Sequence, residues 1–384
     1  HLFQGINMDI YNEIGVKKII NCLGNSTVLG GNTPSGEVKE AIESASNNYV
    51  SMEDLTITCN SLIADLIGCE SALITPGAAS GLTLATAGAM TGKNKNLIEQ
   101  IPDTSGMKNE VIIQTQLRVP YDKAIEVAGA KLIEVGLKEK TTIEHITNAI
   151  NQNTLAIHYL PGGKSVNSSG DHTKALDLET IIKIAKDHNI YVIVDAAGQV
   201  YPTDKLSKFT KMGADAVAYG AKYFGALNGT GMVVGKAEII DAAKMHSFIG
   251  FEFGKLRTIG RSMKMDKEDV VAVYVALKTW LTMNHEERME KAEKKASMLT
   301  KLIRPIPNII VSEPEISGTT VGLNITFNNH INALDIAKEL ESGNPSIWAR
   351  ANDSKSLIFR MGEVNENDIN TIAKRLSNII ELSK

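Results

Sequence analysis

Residues 215–235 read DAVAYGAKYFGALNGTGMVVG. Ala216, Val217, Ala218 and Tyr219 make a short apolar run, the pattern of a strand buried on both faces. Lys222 follows in a Gly/Ala-rich turn, and a glycine-rich stretch leads into a second apolar run at 232–234. A lysine at the mouth of a buried sheet is poorly solvated. Desolvation and nearby cations lower its pKa and free the amine for Schiff-base chemistry. The alternative is a solvated surface lysine, the commoner state of any lone Lys. The rest of the chain has to decide between the two.

Outward from this stretch, short apolar runs recur at 72–75, 111–114, 131–135, 155–159 and 191–194, with helical patterns such as 178–187 between most of them. Strand–helix–strand repetition of this kind predicts an α/β fold with a mostly parallel central sheet and flanking helices. After about Ser262 the texture changes. Residues 267–302 read as one long helix, with Val270, Tyr274, Leu277 and Leu281 on a helical stripe ahead of the charged run HEERMEKAEKK. A strand at 320–327, a helix at 333–340, strands at 346–349 and 356–359 and a final helix at about 367–382 then make a smaller C-terminal α+β domain. The predicted division is 8–260 for the N-terminal segment and large domain, and 261–384 for the linking helix and small domain. Residues 1–7 begin HLFQG, resemble the remnant of a cleaved tag and are set aside, with Met8 as the expected native start. The Lys/Asn/Gly-rich segment 91–110 reads as a mobile loop.

Composition narrows the class. The 384 residues are 43% hydrophobic and 22% charged, with a formal net charge of -4. That describes a globular protein whose charge announces no nucleic-acid surface. No apolar run reaches the roughly 18–20 residues of a membrane span, and no signal peptide is visible. Cys22, Cys59 and Cys69 are odd in number and lack CxxC spacing, so reduced thiols in a cytoplasmic protein are expected rather than disulfides or a thiolate zinc site. The scattered histidines contain no HExxH pair, and no metal is expected.

Two motifs precede Lys222. In TPGAASGL, residues 75–82, an apolar strand runs into Pro76-Gly77 and a small-residue helix begins at once. Free N–H groups and the positive dipole end at such a helix start suit a phosphate. Gly77, Ala78 and Ala79 keep the approach open and Ser80 adds a hydroxyl; the alternative is a tight turn that holds nothing. In YVIVDAAGQ, residues 191–199, Asp195 ends an expected central strand. A carboxylate there is costly to bury without a cation or hydrogen bonds, and open α/β sheets bind ligands beyond the carboxyl ends of their strands. A protonated pyridine nitrogen is a fitting partner; an Asp that caps the next turn is the alternative. A phosphate cradle, a strand-end Asp and a Lys after the next strand give three anchors for pyridoxal 5′-phosphate: phosphate, ring nitrogen and aldehyde.

These motifs, together with KKIINCLGNSTVLGG, YVSMEDL, YDKAIEVAGAKLIEVG and IGRSMKMDKEDVVAVYVAL, give a chain that resembles the selenocysteine-synthase-like branch of fold-type I pyridoxal-phosphate enzymes. That branch includes L-seryl-tRNA(Sec) selenium transferase and D-glucosaminate-6-phosphate ammonia lyase. The resemblance implies the aspartate-aminotransferase-like fold and a homodimer or larger symmetric homo-oligomer. The N-terminal stretch fits the ammonia-lyase side better. Selenium transferases carry an added N-terminal region for tRNA, and this chain opens on the catalytic-domain pattern, so no nucleic-acid partner is expected.

The resemblance implies that Lys222 holds the cofactor as a Schiff base, that Asp195 pairs with the pyridine nitrogen, and that Gln199 lies near the ring oxygen or the substrate. Gly77, Ala78, Ala79 and Ser80 would hold the phosphate, with Tyr219 also beside the cofactor. Arg360, in LIFRMGE, is a candidate clamp for the substrate carboxylate or a surface salt bridge. Arg261 and Lys264 are candidates for a distal substrate phosphate or for stapling the long helix, and Asn25 with Ser26 for an approach to the active site. One position departs from the pattern: in QTQLRVPYD, Leu117 stands where relatives often place a ring-stacking histidine, with Gln116 or Arg118 as candidates to compensate. The implied function is a pyridoxal-phosphate-dependent lyase or transferase. Its expected reaction is an α,β-elimination on an amino acid or phosphorylated amino sugar acid, with Lys222 as base and acid. C–S cleavage, transamination, racemisation, selenium transfer and a non-catalytic cofactor-binding role are the alternatives.

Overall fold

The computed structural model describes residues 9–162, 171–328 and 330–382; the set-aside segment 1–7 lies outside them. Packing separates two compact units, Gly31–Met283 and a smaller one of His1–Gly30 with Asn284–Lys384. The division expected after residue 260 therefore falls, by packing, after Met283. The reason is local. The helix expected over 267–302 is two helices, Lys267–Thr282 and His285–Ile303, because Met283 is extended and the Asn284 side chain accepts from Glu287 N and starts a new helix. The periodicity runs through this break and hides it.

The strands in chain order are β1 (Ile19–Asn21), which belongs to the smaller unit, then β2 (Ser71–Thr75), β3 (Glu110–Gln114), β4 (Lys131–Val135), β5 (Thr154–Tyr159), β6 (Tyr191–Asp195), β7 (Ala216–Gly220) and β8 (Gly231–Gly235). The last seven form one sheet in the order β2-β8-β7-β6-β5-β3-β4. All pairs are parallel except those of β8, which runs antiparallel to both neighbours. Because β8 is reversed between them, β2 and β7 point the same way, so every strand but β8 ends at one sheet edge. Buried apolar layers cover both faces. On one, Val192, Val194 and Val217 pack with Ile181, Phe209 and Trp280 from helices Leu178–Asp187, Lys205–Met212 and Lys267–Thr282. On the other, Ile193, Ala216 and Ala218 pack with Leu82, Ala85, Ile125 and Ile240 from helices Gly77–Thr91, Lys123–Val127 and Ala237–His246. This two-sided burial is why the strands read as continuous apolar runs.

The segment expected as a mobile loop is in part a helix, Lys95–Gln100, capped by the Asn94 side chain and anchored by fully buried Ile98. Among the described residues no helix is long and apolar enough to cross a membrane.

The smaller unit carries β9 (Ile309–Val311), β10 (Glu315–Ser317), β11 (Thr320–Phe327), β12 (Ser346–Trp348), β13 (Arg350–Ala351) and β14 (Ser356–Arg360). A sheet runs β10-β11-β14-β13 with β9 also on β11, and β1 pairs with β12 in a separate parallel ribbon. Leu323, Ile325, Leu357 and Phe359 pack against Ala296, Leu299, Ile336, Leu340, Ile372 and Leu376.

Candidate functional site

The edge where the strands of the large unit end collects the three anchors. Thr75 at the end of β2 and Gly220 at the end of β7 both pair with Gly231, the first residue of β8. The turn into the helix Gly77–Thr91 and the turn carrying Lys222 are thus two strand spacings apart, about 9.5 Å. Asp195 ends β6 opposite Ala218 of β7, one strand further.

The helix start is open. Gly77 has φ of +80°, a conformation that favours glycine, and a Cβ there would meet nothing within 4 Å. Pro76 offers no side-chain cap, so the first-turn amides lack an intrahelical or capping partner. The Thr75 hydroxyl donates to Gly77 O and the Ser80 hydroxyl to Pro76 O, each at 2.8 Å, so the Ser80 oxygen is drawn back onto its own turn.

Asp195 is 6% exposed and accepts one hydrogen bond, from Ala197 N at 3.1 Å. No cation pairs with it among the described residues. Burial, partly offset by that bond, pushes its pKa up to about 6. Lys222 lies in the short helix Ala221–Phe224, is 8% exposed, and has its pKa lowered by burial. Its Nζ stands 5.2 Å from the centre of the Tyr223 ring. Both ionisable groups are therefore pushed toward their neutral forms. A protonated ring nitrogen would supply the cation that Asp195 lacks, and an aldehyde is the natural partner for a desolvated amine. The residues fit pyridoxal phosphate on those grounds.

The other sequence candidates divide. Leu117 is 1% exposed in the turn Thr115–Leu117 that follows β3 at the same edge. Gln116 does not compensate for it: its amide nitrogen donates to Leu137 O at 2.5 Å and its oxygen accepts from the Thr141 hydroxyl at 2.6 Å. Arg118 is held by Asp122 at 2.6 Å and by Glu134. Gln199 follows β6, and its Oε1 accepts from Lys205 Nζ at 3.0 Å. Tyr219 alternates away from Ala218 onto the opposite face, where its hydroxyl donates to Lys205 O and Leu206 O at 2.9 and 3.2 Å; that hydroxyl is committed to the core. Arg261 donates through Nε to Glu252 at 2.8 Å and lies 5.7 Å from the Phe251 ring centre, while Lys264 is exposed. Lys205, Tyr223 and Gly231 were not singled out from sequence. Lys205 reads as an ordinary helix-start lysine; the Gly-Thr-Gly stretch at 229–231 was the available signal for Gly231.

Within the smaller unit, Arg360 and Asn25 converge on one loop. Arg360 donates to Leu23 O at 2.9 Å and to the Ser317 hydroxyl at 3.1 Å, and its Cδ packs on Gly24. Asn25 accepts from the Thr319 hydroxyl at 3.1 Å. The guanidinium is thus not a simple surface ion pair.

Comparison with known proteins places this geometry. The chain is 28% identical over 351 residues to a 5′-C-glycyluridine monooxygenase-decarboxylase of Streptomyces sp, covering 88% of this chain and 84% of that one. It is 27% identical over 385 residues to D-glucosaminate-6-phosphate ammonia lyase of Salmonella typhimurium, covering 97% and 98%. The solved structure of a D-glucosaminate-6-phosphate ammonia lyase superposes with a TM-score of 0.81 at 26% identity, covering 98% of this chain and all of that one. The fold is that of fold-type I enzymes, and pyridoxal phosphate is the expected cofactor. The model of the family described as L-seryl-tRNA selenium transferase matches residues 19–306. That span takes in the open helix start, Asp195 and Lys222 together, and the chain therefore belongs to the L-seryl-tRNA selenium transferase family.

Proposed function

We propose that the chain catalyses an α,β-elimination on an amino acid or a phosphorylated amino sugar acid, releasing ammonia, with Lys222 as the cofactor-holding lysine. One observation carries the reading: buried Asp195 at the end of β6 and buried Lys222 in the turn just after the adjacent β7 stand at the sheet edge where an uncapped, small-residue helix begins. The ammonia lyase resemblance over nearly the whole chain supports the reaction class.

When bound, pyridoxal phosphate would supply an electron sink for charge developing at the substrate's α-carbon. The amides of Gly77, Ala78, Ala79 and Ser80 would hold its phosphate, Asp195 its ring nitrogen, and Lys222 Nζ its aldehyde carbon. Leu117 and Gln199 would line the ring. Displaced by the substrate amine, Lys222 Nζ would remove the α-proton and return a proton to the departing β-hydroxyl. Water lost in that step is regained when the released enamine hydrolyses, so the net products are a keto acid and ammonia. Arg360 would bind the carboxylate, Arg261 and Lys264 a distal phosphate, and Asn25 the substrate. We also infer a cytoplasmic homodimer or larger homo-oligomer. The three free cysteines support the compartment. The apolar side chains of Tyr49, Val50 and Ile57, exposed at the start of the helix Met52–Ile67 and just before it, support the assembly.

A second reading, oxygen-dependent decarboxylation, is favoured by the Streptomyces relative. The test loads the purified chain with pyridoxal phosphate, supplies D-glucosaminate 6-phosphate and a panel of β-hydroxy amino acids, and follows ammonia, keto acid, carbon dioxide and oxygen. Ammonia with keto acid and no oxygen uptake supports elimination; stoichiometric oxygen uptake with carbon dioxide supports the second reading. A protein that shows no visible absorbance band with the cofactor, or whose band persists unchanged in Lys222→Ala after borohydride, overturns the assignment of Lys222.

A further inference from the structure

His158 is a buried ionisable side chain that the proposed chemistry leaves unused. It lies on β5 and is fully buried; neither ring nitrogen completes a hydrogen bond of normal geometry, although the backbone of Ile193 lies close enough to act on the ring. Buried polar atoms without partners are rare and call for a cause.

Its place in the sheet suggests one. His158 pairs in register with Ile193 of β6. Ile193 faces the layer under the helix Gly77–Thr91, as do Ala216 and Ala218, and side chains alternate along a strand. His158 and Asp195 therefore share that face, one strand and two residues apart, about 8 Å between Cα atoms. An imidazole and a carboxylate turned toward each other span such a distance. Asp195 accepts a single backbone donor, from Ala197. The hydroxyls of the covering helix are spent elsewhere, Thr83 on the carbonyls of Ala79 and Ala124 and Thr86 on that of Leu82. His158 also feels two opposed charges, Asp122 and Arg118. Asp122 is itself engaged by Arg118 Nε at 2.6 Å and by Val119 N at 3.3 Å. His158 thus lies near a committed ion pair and shares a sheet face with an under-satisfied carboxylate.

We propose that His158 is a positioning residue for Asp195: when the cofactor is bound, a ring N–H of His158 donates to the Asp195 carboxylate and holds it, ionised, toward the cofactor's ring nitrogen. The inference rests on the pyridoxal-phosphate reading above. Burial pushes the His158 pKa down to about 4, so the donor is the neutral ring, and no charge change on His158 is required.

The experiment compares wild type, His158→Leu, His158→Gln, Asp195→Asn and the His158→Leu/Asp195→Asn pair. The readouts are the dissociation constant for pyridoxal phosphate, the position of the bound absorbance band, and the melting temperature of the cofactor-free chain. His158→Leu is expected to weaken cofactor binding about tenfold or more, the scale of one charge-assisted hydrogen bond, and to shift the band. Its cofactor-free melting temperature should change little, since the ring completes no hydrogen bond of normal geometry. His158→Gln keeps an N–H and should stay within about threefold of wild type. With Asp195→Asn already present, adding His158→Leu should change binding less than about twofold, because coupled residues are non-additive. Unchanged affinity in His158→Leu, or the same loss with and without Asp195, overturns the proposal. So does a failure of both His158→Leu and His158→Gln to fold without cofactor, which would make the ring a folding element. Wild type that binds no cofactor overturns the functional reading instead.

Discussion

A Cβ placed on Gly231 would lie 2.6 Å from the backbone nitrogen of Ala78 and 2.4 Å from the carbonyl carbon of Gly77. The first residue of β8 therefore passes directly beneath the helix start proposed to hold the phosphate. A third contact, 2.7 Å to Tyr219 O, closes the other side, and all three neighbours are backbone that cannot rotate away. Gly231→Ala should cost about 1–3 kcal/mol by overpacking, lower the melting temperature by several degrees, and weaken cofactor binding. Gly229→Ala is the control, because a Cβ there meets nothing within 4 Å. Equal melting curves for the two variants would show that the helix start yields freely.

Asp195 links stability to pH with an unusual sign for a carboxylate. Burial raises its folded pKa to about 6 from the ordinary carboxylate value of 3.8. Between those values the folded chain binds a proton that the unfolded chain has released, so the contribution of Asp195 to stability is full below about pH 4 and is lost as pH rises through 6. The shift corresponds to about 3 kcal/mol. Cofactor-free Asp195→Asn, which keeps an oxygen for Ala197 N, should be more stable than wild type at pH 7 by a few kcal/mol at most, with the gap closing near pH 4. Denaturant melts at the two pH values check this. Cofactor affinity should move the opposite way, falling in the same variant.

Much of this edge was legible because a strand buried on both faces leaves an unmistakable apolar run, and because Asp195 and Lys222 each end such a run. Other features are silent in sequence for definite reasons. The run at 232–234 looks like its parallel neighbours, and only pairing reveals that β8 is reversed. β1 and β12 are three residues each and meet across more than three hundred positions, too short and too distant for periodicity to register. Tyr219 sits three positions before Lys222, yet strand alternation turns it to the far face. His158 interrupts LAIHY without a signal, since a buried histidine and a buried aliphatic residue occupy the same pattern.

Tyr223 should tune Lys222. A ring face 5.2 Å from Nζ favours the ammonium form by about 0.5–1 kcal/mol, opposing the burial that lowers the lysine pKa. Replacing the ring by Tyr223→Leu removes that opposition, so the pKa of Lys222 should fall further. Cofactor capture, which needs the free amine, should then persist to lower pH. Tyr223→Phe retains the ring and should leave the midpoint in place. The pH dependence of the bound absorbance band measures both; an upward move in Tyr223→Leu would mean that the ring acts mainly by keeping water from the amine.

The proposed distal-phosphate pair is unequal, and the inequality is testable. Arg261 is engaged by Glu252 at 2.8 Å and rests on Phe251, whereas Lys264 is exposed and shows no ion pair among the described residues. A phosphate arriving here would meet Lys264 directly but would compete with a carboxylate for Arg261. Lys264→Ala should raise KM for a phosphorylated substrate by about tenfold or more, the scale of one hydrogen bond to a charged group, and leave KM for its unphosphorylated analogue unchanged. Glu252→Gln should act in the opposite direction, lowering KM for the phosphorylated substrate by releasing Arg261. Added salt should shrink both effects, since exposed charges are screened. If Lys264→Ala raises the two KM values equally, the pair serves the helix Lys267–Thr282 and the phosphate is held elsewhere.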